Sequence, residues 1–296
     1  MPFIPIPNIA PEKISLDLLS KKNVEASVLR LDKVHPVISG NKWFKLRYYF
    51  EDAIRQNKKT IVTFGGAWSN HIVATAAASK EIGINSLGII RGEETVDLSP
   101  TLRQAKEFGM ELIFISREDY RRKKIPIQLN ESDHYIINEG GYGVKGAEGA
   151  ATILDAVDFQ SYTHICCAVG TGTMIAGLTN RTATLQKTIG ISVLKNNVSL
   201  NGKIRELLIN EEKSFQIIHD YHFAGYAKHT VELITSMNEF YRQTNIPSDF
   251  VYTGKLFYGV IDLIRNNFFL SGSKLLVIHS GGLQGNASLK EGKLIF

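Results

Sequence analysis

The sequence lacks the features that mark membrane-spanning, secreted or metal-cage proteins. No apolar run in its 296 residues approaches the roughly 18 residues that a membrane-spanning helix needs. Its two cysteines, Cys166 and Cys167, are adjacent and cannot build a disulfide framework or a metal cage. The first ten residues carry neither a basic region nor a continuous apolar core. No secretory signal is visible there, so a cytoplasmic location is expected.

A strong charge imbalance, internal repeats and a Gly-, Ser- or Pro-rich linker are also missing. The 34 lysines and arginines stand against 29 acidic residues, and the net charge of +5 suits an anionic small molecule at least as well as a nucleic acid. The densest charged run, residues 117–124, has no interleaved aromatic ladder for stacking on bases. This run is predicted to end a helix or to form a solvated loop. Neither a nucleic-acid partner nor a membrane partner is expected.

What is present is the composition of a folded globular protein, with 44% hydrophobic and 21% charged residues. Short apolar runs rich in Val, Ile and Phe alternate with helical stretches almost from end to end. This alternation predicts parallel βαβ units, and hence an α/β fold with mainly parallel sheets flanked by helices. The predicted strands are Ala26–Asp32, Thr60–Phe64, Ser86–Arg91, Glu111–Ile115, His134–Asn138, Thr163–Val169, Thr188–Leu194, Phe215–His219 and Lys274–His279. The predicted helices lie at 43–57, 69–82, 99–108, 143–158, 172–185, 228–244 and 254–267.

Nine predicted strands are many for a single sheet in a chain of this length, which favours two domains. We predict a small α/β domain at residues 45–135, inserted into a larger domain made of residues 1–44 and 136–296.

The first motif that indicates chemistry is Ser39-Gly40-Asn41-Lys42. Gly40 and Asn41 form turns readily, so the next helix is expected to start there and to hold Lys42 in its first turn. The positive end of the helix dipole disfavours a cation and lowers the pKa of an amine, as a Schiff-base lysine requires. An ordinary surface lysine after a turn is the alternative.

Two further motifs follow predicted strands and open predicted helices. In Gly65-Gly66-Ala67-Trp68-Ser69-Asn70-His71, the glycines allow close backbone approach, and Ser69 and Asn70 can hold an anion or merely cap the helix. His71 is assigned no role. In residues 169–173, glycines and threonines offer several donors to a phosphate monoester. A dinucleotide fingerprint fits less well, because its third glycine is replaced by Ile175 and the acidic ribose ligand is missing.

The C-terminal third adds Gly225-Tyr226, Val251-Tyr252-Thr253-Gly254-Lys255 and His279-Ser280-Gly281-Gly282. Together with the earlier motifs and Glu139-Gly140-Gly141, these segments resemble the pyridoxal-phosphate (PLP) enzymes of fold type II. The resemblance is specifically to the family of D-cysteine desulfhydrase and 1-aminocyclopropane-1-carboxylate (ACC) deaminase, and it runs from about residue 30 to 285. It implies a fold like that of the tryptophan synthase β subunit, PLP as cofactor, a small amino-acid substrate and a homodimer.

The resemblance also implies a role for each matching residue. Lys42 matches the lysine that holds PLP as a Schiff base, and Lys45 matches the lysine that contacts its phosphate. Asn70 matches the asparagine that binds the 3′-oxygen of the pyridine ring. The segment that matches the phosphate cradle consists of Val169, Gly170, Thr171, Gly172 and Thr173.

The substrate side of the site is implied in the same way. Ser69 matches the serine that receives the substrate carboxylate, close to the reacting carbons. Tyr226 and Tyr252 match the two active-site tyrosines, either of which is a proton donor to the leaving group or a modulator of Lys42.

Two positions depart from the deaminase pattern. Thr253 and Ser280 stand where the deaminase has Glu and Leu, and where the desulfhydrase branch has Thr at both. Neutral hydroxyls facing the pyridine nitrogen do not force its protonation, and the weaker electron sink suits expulsion of a good leaving group such as thiolate. The resemblance therefore implies α,β-elimination, as in conversion of D-cysteine to pyruvate, ammonia and hydrogen sulfide.

Three alternatives stay open at this point. An ACC deaminase would release 2-oxobutanoate and ammonia on the same scaffold. A PLP-binding protein without turnover would keep the pocket alone. A nicotinamide-dependent oxidoreductase would need the missing acidic ribose ligand.

Overall fold

The computed structural model describes residues 9–125, 132–210 and 212–296. Most of the segment inspected above for a secretory signal lies outside these residues. The strands in the described residues are β1 (Glu12–Lys13), β2 (Glu25–Arg30), β3 (Thr60–Gly66), β4 (Asn85–Arg91), β5 (Met110–Ile115), β6 (His134–Ile137), β7 (His164–Val169), β8 (Lys187–Ser192), β9 (Phe215–Ile218) and β10 (Lys274–His279). The α-helices are α1 (Asp17–Lys22), α2 (Asn41–Arg55), α3 (Asn70–Ile82), α4 (Pro100–Glu107), α5 (Arg117–Arg121), α6 (Val144–Ala151), α7 (Thr173–Arg181), α8 (Leu200–Arg205), α9 (Val231–Thr244) and α10 (Thr253–Arg265).

The described strands form two sheets. One has six strands in the order β1-β2-β10-β7-β8-β9, and the other has four in the order β5-β4-β3-β6. Every pair in the described residues is parallel except β1 with β2. The predicted α/β class is therefore confirmed, and all nine predicted strands form within two residues of their predicted bounds. The two-residue β1 is too short to show a pattern in the sequence.

Two predictions about helices were wrong. The stretch 143–158 is not one helix, because α6 ends at Ala151, where the Thr152 hydroxyl donates to the carbonyl of Gly149 at 2.7 Å. The charged run 117–124 neither ends a helix nor stays a loop. It starts the short helix α5, because the Ser116 hydroxyl accepts the Asp119 N–H at 3.0 Å and caps the first turn. The short helices α1 and α8 were also missed, since six residues are too few for a helical period to stand out.

The six-stranded sheet is buried on both faces, as its apolar strands predict. Alternate side chains of β7 enter different cores. Cys166 packs beside Val277 on one face, and Cys167 packs beside Ile278 on the other. Both thiols are free and fully buried, so they contribute to packing. Among the described helices, none combines the length and apolar character that would let it cross a lipid bilayer.

Parallel strands bring their carboxyl ends to one edge of each sheet, where ligands bind in open α/β folds. At this edge of the large sheet, β7 leads into residues 170–172 and β10 into residues 280–282. At the corresponding edge of the small sheet, β3 ends at Gly66, and α3 starts four residues later. Of the motifs singled out above, those at residues 39–42, 65–71, 169–173, 251–255 and 279–282 therefore lie at strand ends or helix starts, whereas Gly225-Tyr226 lies in the loop between β9 and α9.

The two-domain division remains a prediction. The small sheet draws its strands from residues 60–137 and the large sheet from the rest. Both predicted boundaries, at 44/45 and 135/136, fall inside elements, namely α2 and β6.

Helix α6 lies against α2 and α7 with backbone almost touching backbone. A Cβ at Gly149 would lie 2.2 Å from the carbonyl oxygen of Phe44, and one at Gly177 would lie 2.3 Å from that of Ala147. These distances are shorter than any real Cβ contact. Glycine on α6 and α7 therefore sets the depth at which α2, and with it Lys42, sits in the molecule.

We predict that Gly149→Ala lowers the free energy of unfolding by about 2 kcal/mol or more, because the methyl group forces α2 away from α6. Gly202→Ala on α8 is the matched control, since a Cβ there meets nothing within 4 Å. Alanine should stabilise that helix by about 0.5–1 kcal/mol through its higher helix propensity. Urea unfolding of the two variants measures both changes. Equal stability of Gly149→Ala and the wild type would contradict the backbone contact.

Candidate active site

Lys42 is the second residue of α2, so the predicted position in the first turn is confirmed. Gly40 precedes it with φ of 67°, and a Cβ there would lie 1.9 Å from the carbonyl oxygen of Ser280. That same oxygen accepts the N–H of Asn41 at 3.1 Å. The side-chain oxygen of Asn41 in turn accepts a hydrogen bond from Lys42 Nζ at 2.9 Å. The turn after β10 therefore fixes both the start of α2 and the direction of the Lys42 amine.

One cavity at the carboxyl edge of the large sheet collects most of the residues predicted for the site. Ser39, Asn41, Gly140, Met174 and the glycines that follow Ser280 also line it. The predicted residues among its walls are Lys42, Lys45, Asn70, Val169, Gly170, Thr171, Gly172, Tyr252 and Ser280.

The turn from β7 into α7 offers unused hydrogen-bond donors to this cavity. The backbone N–H groups of residues 170–172 donate to no acceptor in the described part of the chain. Thr171 and Thr173 join their hydroxyls at 3.0 Å, and Thr173 is fully buried rather than in the cavity wall. Free donors at the start of a helix form a binding site for an anion.

Lys45 adds a buried amine to the same wall. It is one helical turn after Lys42 and only 4% exposed, and none of the described residues offers it a hydrogen bond or an ion pair. Burial and the charge of Lys42 hold the pKa of Lys45 well below its ordinary value. An anion in the cavity would supply the missing partner and restore the charged form.

Burial also lowers the pKa of Lys42, to about 8, while the negative charge of Asp249 opposes this shift. An appreciable fraction of this amine is therefore uncharged near neutral pH. The same environment keeps His71 neutral, because burial and the charges of both lysines hold its pKa well below the ordinary value. Lys42 and Lys45 both line the cavity, and an anion bound there would favour the charged form of each amine. The cavity therefore favours an anionic ligand.

His71 had been assigned no role. Its Nε2 lies 2.8 Å from the hydroxyl of Thr63, which donates to the carbonyl of Ile137 at 2.8 Å. The Thr63 oxygen must therefore accept, and Nε2 carries the proton. Nδ1 is left as a buried acceptor without a partner in the described residues.

Asn70 and Ser69 stand at the start of α3. Asn70 lines the cavity, and its side-chain oxygen is buried with no partner among the residues described. Ser69 occupies the N-cap position but does not line the cavity wall, and its hydroxyl makes no capping hydrogen bond. Both side chains therefore keep hydrogen-bonding capacity that the protein itself does not use.

Asp249 is a residue that the sequence reasoning missed. It is fully buried, and its carboxylate accepts the N–H groups of Val251, Tyr252 and Thr253 at 2.8–2.9 Å. This carboxylate caps the start of α10 and presents negative charge to Lys42. An Asp shortly before a predicted helix is a capping signal in the sequence, and it could have identified the residue.

Thr253 and Ser280 have different surroundings, although both were predicted to face the cofactor ring. Ser280 lines the cavity. Thr253 is fully buried, and its hydroxyl donates to Asp249 at 2.7 Å while accepting the Asp249 N–H at 2.7 Å. Its single proton is committed to Asp249. A cofactor contact of Thr253 stays a prediction, and this structure offers it no free donor.

Tyr252 lies near Gly170, and Tyr226 packs against the Tyr252 ring. Tyr252 lines the cavity, whereas Tyr226 is 44% exposed and outside the wall. Their hydroxyls lie 3.4 Å apart and their rings meet edge to face at 6.0 Å. Burial and the neighbouring tyrosine raise the pKa of Tyr252 well above its ordinary value. Tyr252 therefore keeps its proton at neutral pH.

A buried polar chain supports the turn at residues 280–282 from behind. His279 is fully buried, and its Nε2 donates to the carbonyl of Pro247 at 2.8 Å. Its Nδ1 lies 3.1 Å from Asp32, which accepts two hydrogen bonds from Arg30. These contacts fix the ring immediately before Ser280.

Comparison with known proteins gives similar chains and similar structures. The chain is 32% identical over 292 residues to a Thermotoga maritima protein named as a provisional ACC deaminase, covering 90% of this chain and 92% of that protein. It is 28% identical to the bifunctional mitochondrial D-cysteine desulfhydrase/ACC deaminase of Arabidopsis thaliana, covering 84% and 70%. A crystal structure of an ACC deaminase homologue superposes with a TM-score of 0.81 at 27% identity, covering 96% of this chain and 92% of that one.

The sequence model of one family, described as pyridoxal-phosphate dependent enzyme, matches residues 10–281. That span covers most of the chain and includes every residue assigned above to the cavity except Gly282. The cofactor expected from the resemblance is therefore the cofactor of the family. This protein belongs to the pyridoxal-phosphate dependent enzymes.

Proposed function

We propose that this enzyme catalyses α,β-elimination on a small amino acid and releases a 2-oxo acid and ammonia. One observation carries the proposal. The Lys42 amine, with a pKa lowered to about 8, shares one cavity with unused donors at residues 170–172 and with the buried Lys45.

The residues present fit PLP in each of its parts. Lys42 would hold its aldehyde carbon, because a lysine of lowered pKa is the amine that carbonyl compounds capture. The N–H groups of residues 170–172 and the Lys45 ammonium would bind the phosphate. Asn70 would bind the 3′-hydroxyl of the ring, since its buried side-chain oxygen lacks a partner in the described chain and can accept that proton. When bound, PLP supplies an electron sink that stabilises negative charge on the substrate Cα.

The side chains then have separate tasks. The uncharged amine of Lys42 takes the Cα proton as general base. The Ser69 hydroxyl and the free N–H groups at the start of α3 hold the substrate carboxylate, as a helix N-terminus does for an anion. The negative charge of Asp249 raises the pKa of Lys42 and so stabilises the ammonium that forms there.

Tyr252 and Tyr226 act as acids and not as bases. Burial raises the pKa of both phenols, so each holds its proton at neutral pH. Their contact at 3.4 Å lets one hydroxyl support the other while a proton moves to the leaving group. Sequence reasoning left donor and modulator of Lys42 open, and a protonated phenol is compatible with either role.

The substrate that we favour is an amino acid whose side chain leaves as a thiolate, such as D-cysteine. Ser280 presents a neutral hydroxyl to the cavity, and the proton of Thr253 belongs to Asp249. Neither side chain supplies the carboxylate that would keep a pyridine nitrogen protonated. The second candidate is ACC deamination, which the names of the Thermotoga and Arabidopsis relatives support. The homodimer and the cytoplasmic location remain predictions of the sequence.

Covalent capture of PLP by the cofactor-free protein should follow the lowered pKa of Lys42. Only the uncharged amine attacks an aldehyde, so the rate should rise with pH through a midpoint near 8 instead of the ordinary 10.5. Stopped-flow recording of the visible absorbance band between pH 6.5 and 9.5 measures it. A rate that still rises about tenfold per pH unit at pH 9.5, or a normal band in Lys42→Ala, would refute this assignment.

Substrate choice is tested by 2-oxo-acid and ammonia release from D-cysteine, L-cysteine, β-chloroalanine, D-serine and ACC. We expect D-cysteine to turn over fastest. Lys42→Ala should lose activity by about 1000-fold or more, because the base and the covalent anchor disappear together. Lys21→Ala on the exposed face of α1 is the control and should match the wild type. Rapid turnover of ACC with inert D-cysteine would make ACC deamination the function.

A further inference from the structure

The loop that carries Tyr226 has an unusual backbone. We call residues 222–228 the Tyr226 loop. Phe223, Ala224 and Ala227 have φ of 47°, 67° and 52°, and Gly225 has φ of 114°. Residues other than glycine rarely adopt this left-handed region, because their Cβ atom comes too close to the backbone. Such a segment keeps its shape only when its surroundings determine it.

A single ammonium group ties this loop to α10. Lys255 Nζ donates to the carbonyl of His222 at 2.9 Å and to that of Gly225 at 2.7 Å. Each carbonyl also closes a turn: that of His222 accepts the N–H of Gly225 at 2.9 Å, and that of Gly225 accepts the N–H of Lys228 at 3.2 Å. Lys255 therefore bonds the first carbonyl of two consecutive turns, with Tyr226 following directly after their shared residue.

The position of this lysine is costly in every other respect. Lys255 is fully buried and stands in the first turn of α10, where the helix dipole disfavours a cation. No carboxylate among the described residues forms an ion pair with it. Burial lowers the pKa of Lys255 to about 8, and Asp249 opposes the shift. A lysine in such a place indicates that its two hydrogen bonds matter more than the packing of its stem.

The loop position decides where the Tyr226 hydroxyl lies. Tyr252 lines the cavity three residues before Lys255 on the same turn of chain, and its hydroxyl meets that of Tyr226 at 3.4 Å. Phe223 packs edge-on against Tyr258 of α10 at 4.8 Å. This apolar contact would hold the loop near α10 without Lys255, but it does not orient the segment that bears Tyr226.

We propose that Lys255 is a positioning residue, which holds the Tyr226 loop through the carbonyls of His222 and Gly225 so that the Tyr226 hydroxyl meets Tyr252 at the cavity. The residue acts through Tyr226 and does not itself contact substrate or cofactor. The kinetic part of this inference rests on the elimination proposed above, and the part that concerns the loop does not.

A double-mutant cycle tests the kinetic part. In the PLP-loaded enzyme, Lys255→Met should lower kcat by about 10-fold or more, with KM changed by less than about 3-fold, because a general acid contributes roughly 10²–10⁴ in rate. Tyr226→Phe should lower kcat to a similar extent. The double variant should be no slower than Tyr226→Phe alone, since the lysine has nothing left to position. Losses that multiply, or a wild-type kcat in Tyr226→Phe, would overturn the proposal.

Hydrogen exchange of the peptide that covers residues 222–228 tests the loop itself, with and without PLP. Exchange should be about 10-fold faster in Lys255→Met. The matched control is Lys213→Met, since Lys213 also donates to two carbonyls, those of Asn180 and Thr182, away from the cavity. The control should leave both loop exchange and kcat unchanged. Unchanged exchange in Lys255→Met would overturn the proposal even in a protein that turns over none of the amino acids.

Lys255→Gln is a second variant that keeps the test decisive if Lys255→Met does not fold. Its amide keeps two donors on a shorter side chain, so part of the kcat and part of the loop protection should return relative to Lys255→Met. A Gln variant with Met-like kcat and fully protected loop amides would show that the charge, and not the hydrogen bonds, matters, and would overturn the proposal. If the wild type releases no 2-oxo acid, the proposed function fails while the exchange result still decides the role of Lys255.

Discussion

The close approach of two backbone turns is the constraint on which the site depends. Gly40 lies so near Ser280 that no side chain fits between them, and the N–H of Asn41 bonds the same carbonyl. Ser280 follows the buried His279 at the end of β10, so this contact fixes the first turn of α2 relative to the six-stranded sheet. The backbone thus places Lys42 at the start of α2, and its hydrogen bond to the Asn41 side chain directs the amine.

The ionisable groups near the cavity are arranged for an anionic ligand. Burial of two lysines and one histidine near a single capped carboxylate is unfavourable in the protein alone. It becomes favourable when an anion with a phosphate group occupies the cavity, since the unused donors and the Lys45 ammonium then gain partners. The same burial keeps Lys42 able to lose its proton and the tyrosines able to keep theirs. Base and acid functions therefore arise from one environment acting on groups of opposite charge type.

Much of this architecture is readable from the sequence, for identifiable reasons. Strands buried on both faces are continuous apolar runs, so the bounds of β7 and β10 were predicted closely. The glycine turns that follow such strands indicate the edge of the sheet where a ligand binds, and the turn residues before Lys42 indicated the start of α2. Contacts between distant segments leave no such local signal. The commitment of the Thr253 proton to Asp249 depends on a carboxylate folded back over the helix start. The burial of His71 behind Thr63 depends on packing between α3 and the small sheet. Lys255 belongs to a recognisable motif, yet its partners lie 30 and 33 residues away.

The central claim is that Lys42, and no other lysine, forms the covalent bond to PLP. Borohydride reduction of the PLP-loaded protein makes that bond permanent, and trypsin does not cleave after a modified lysine. The account predicts the added mass on the peptide of residues 34–45, with Lys42 uncleaved inside it. Mass on residues 43–47, which would place the bond on Lys45, or on a peptide that contains Lys255, would contradict the account.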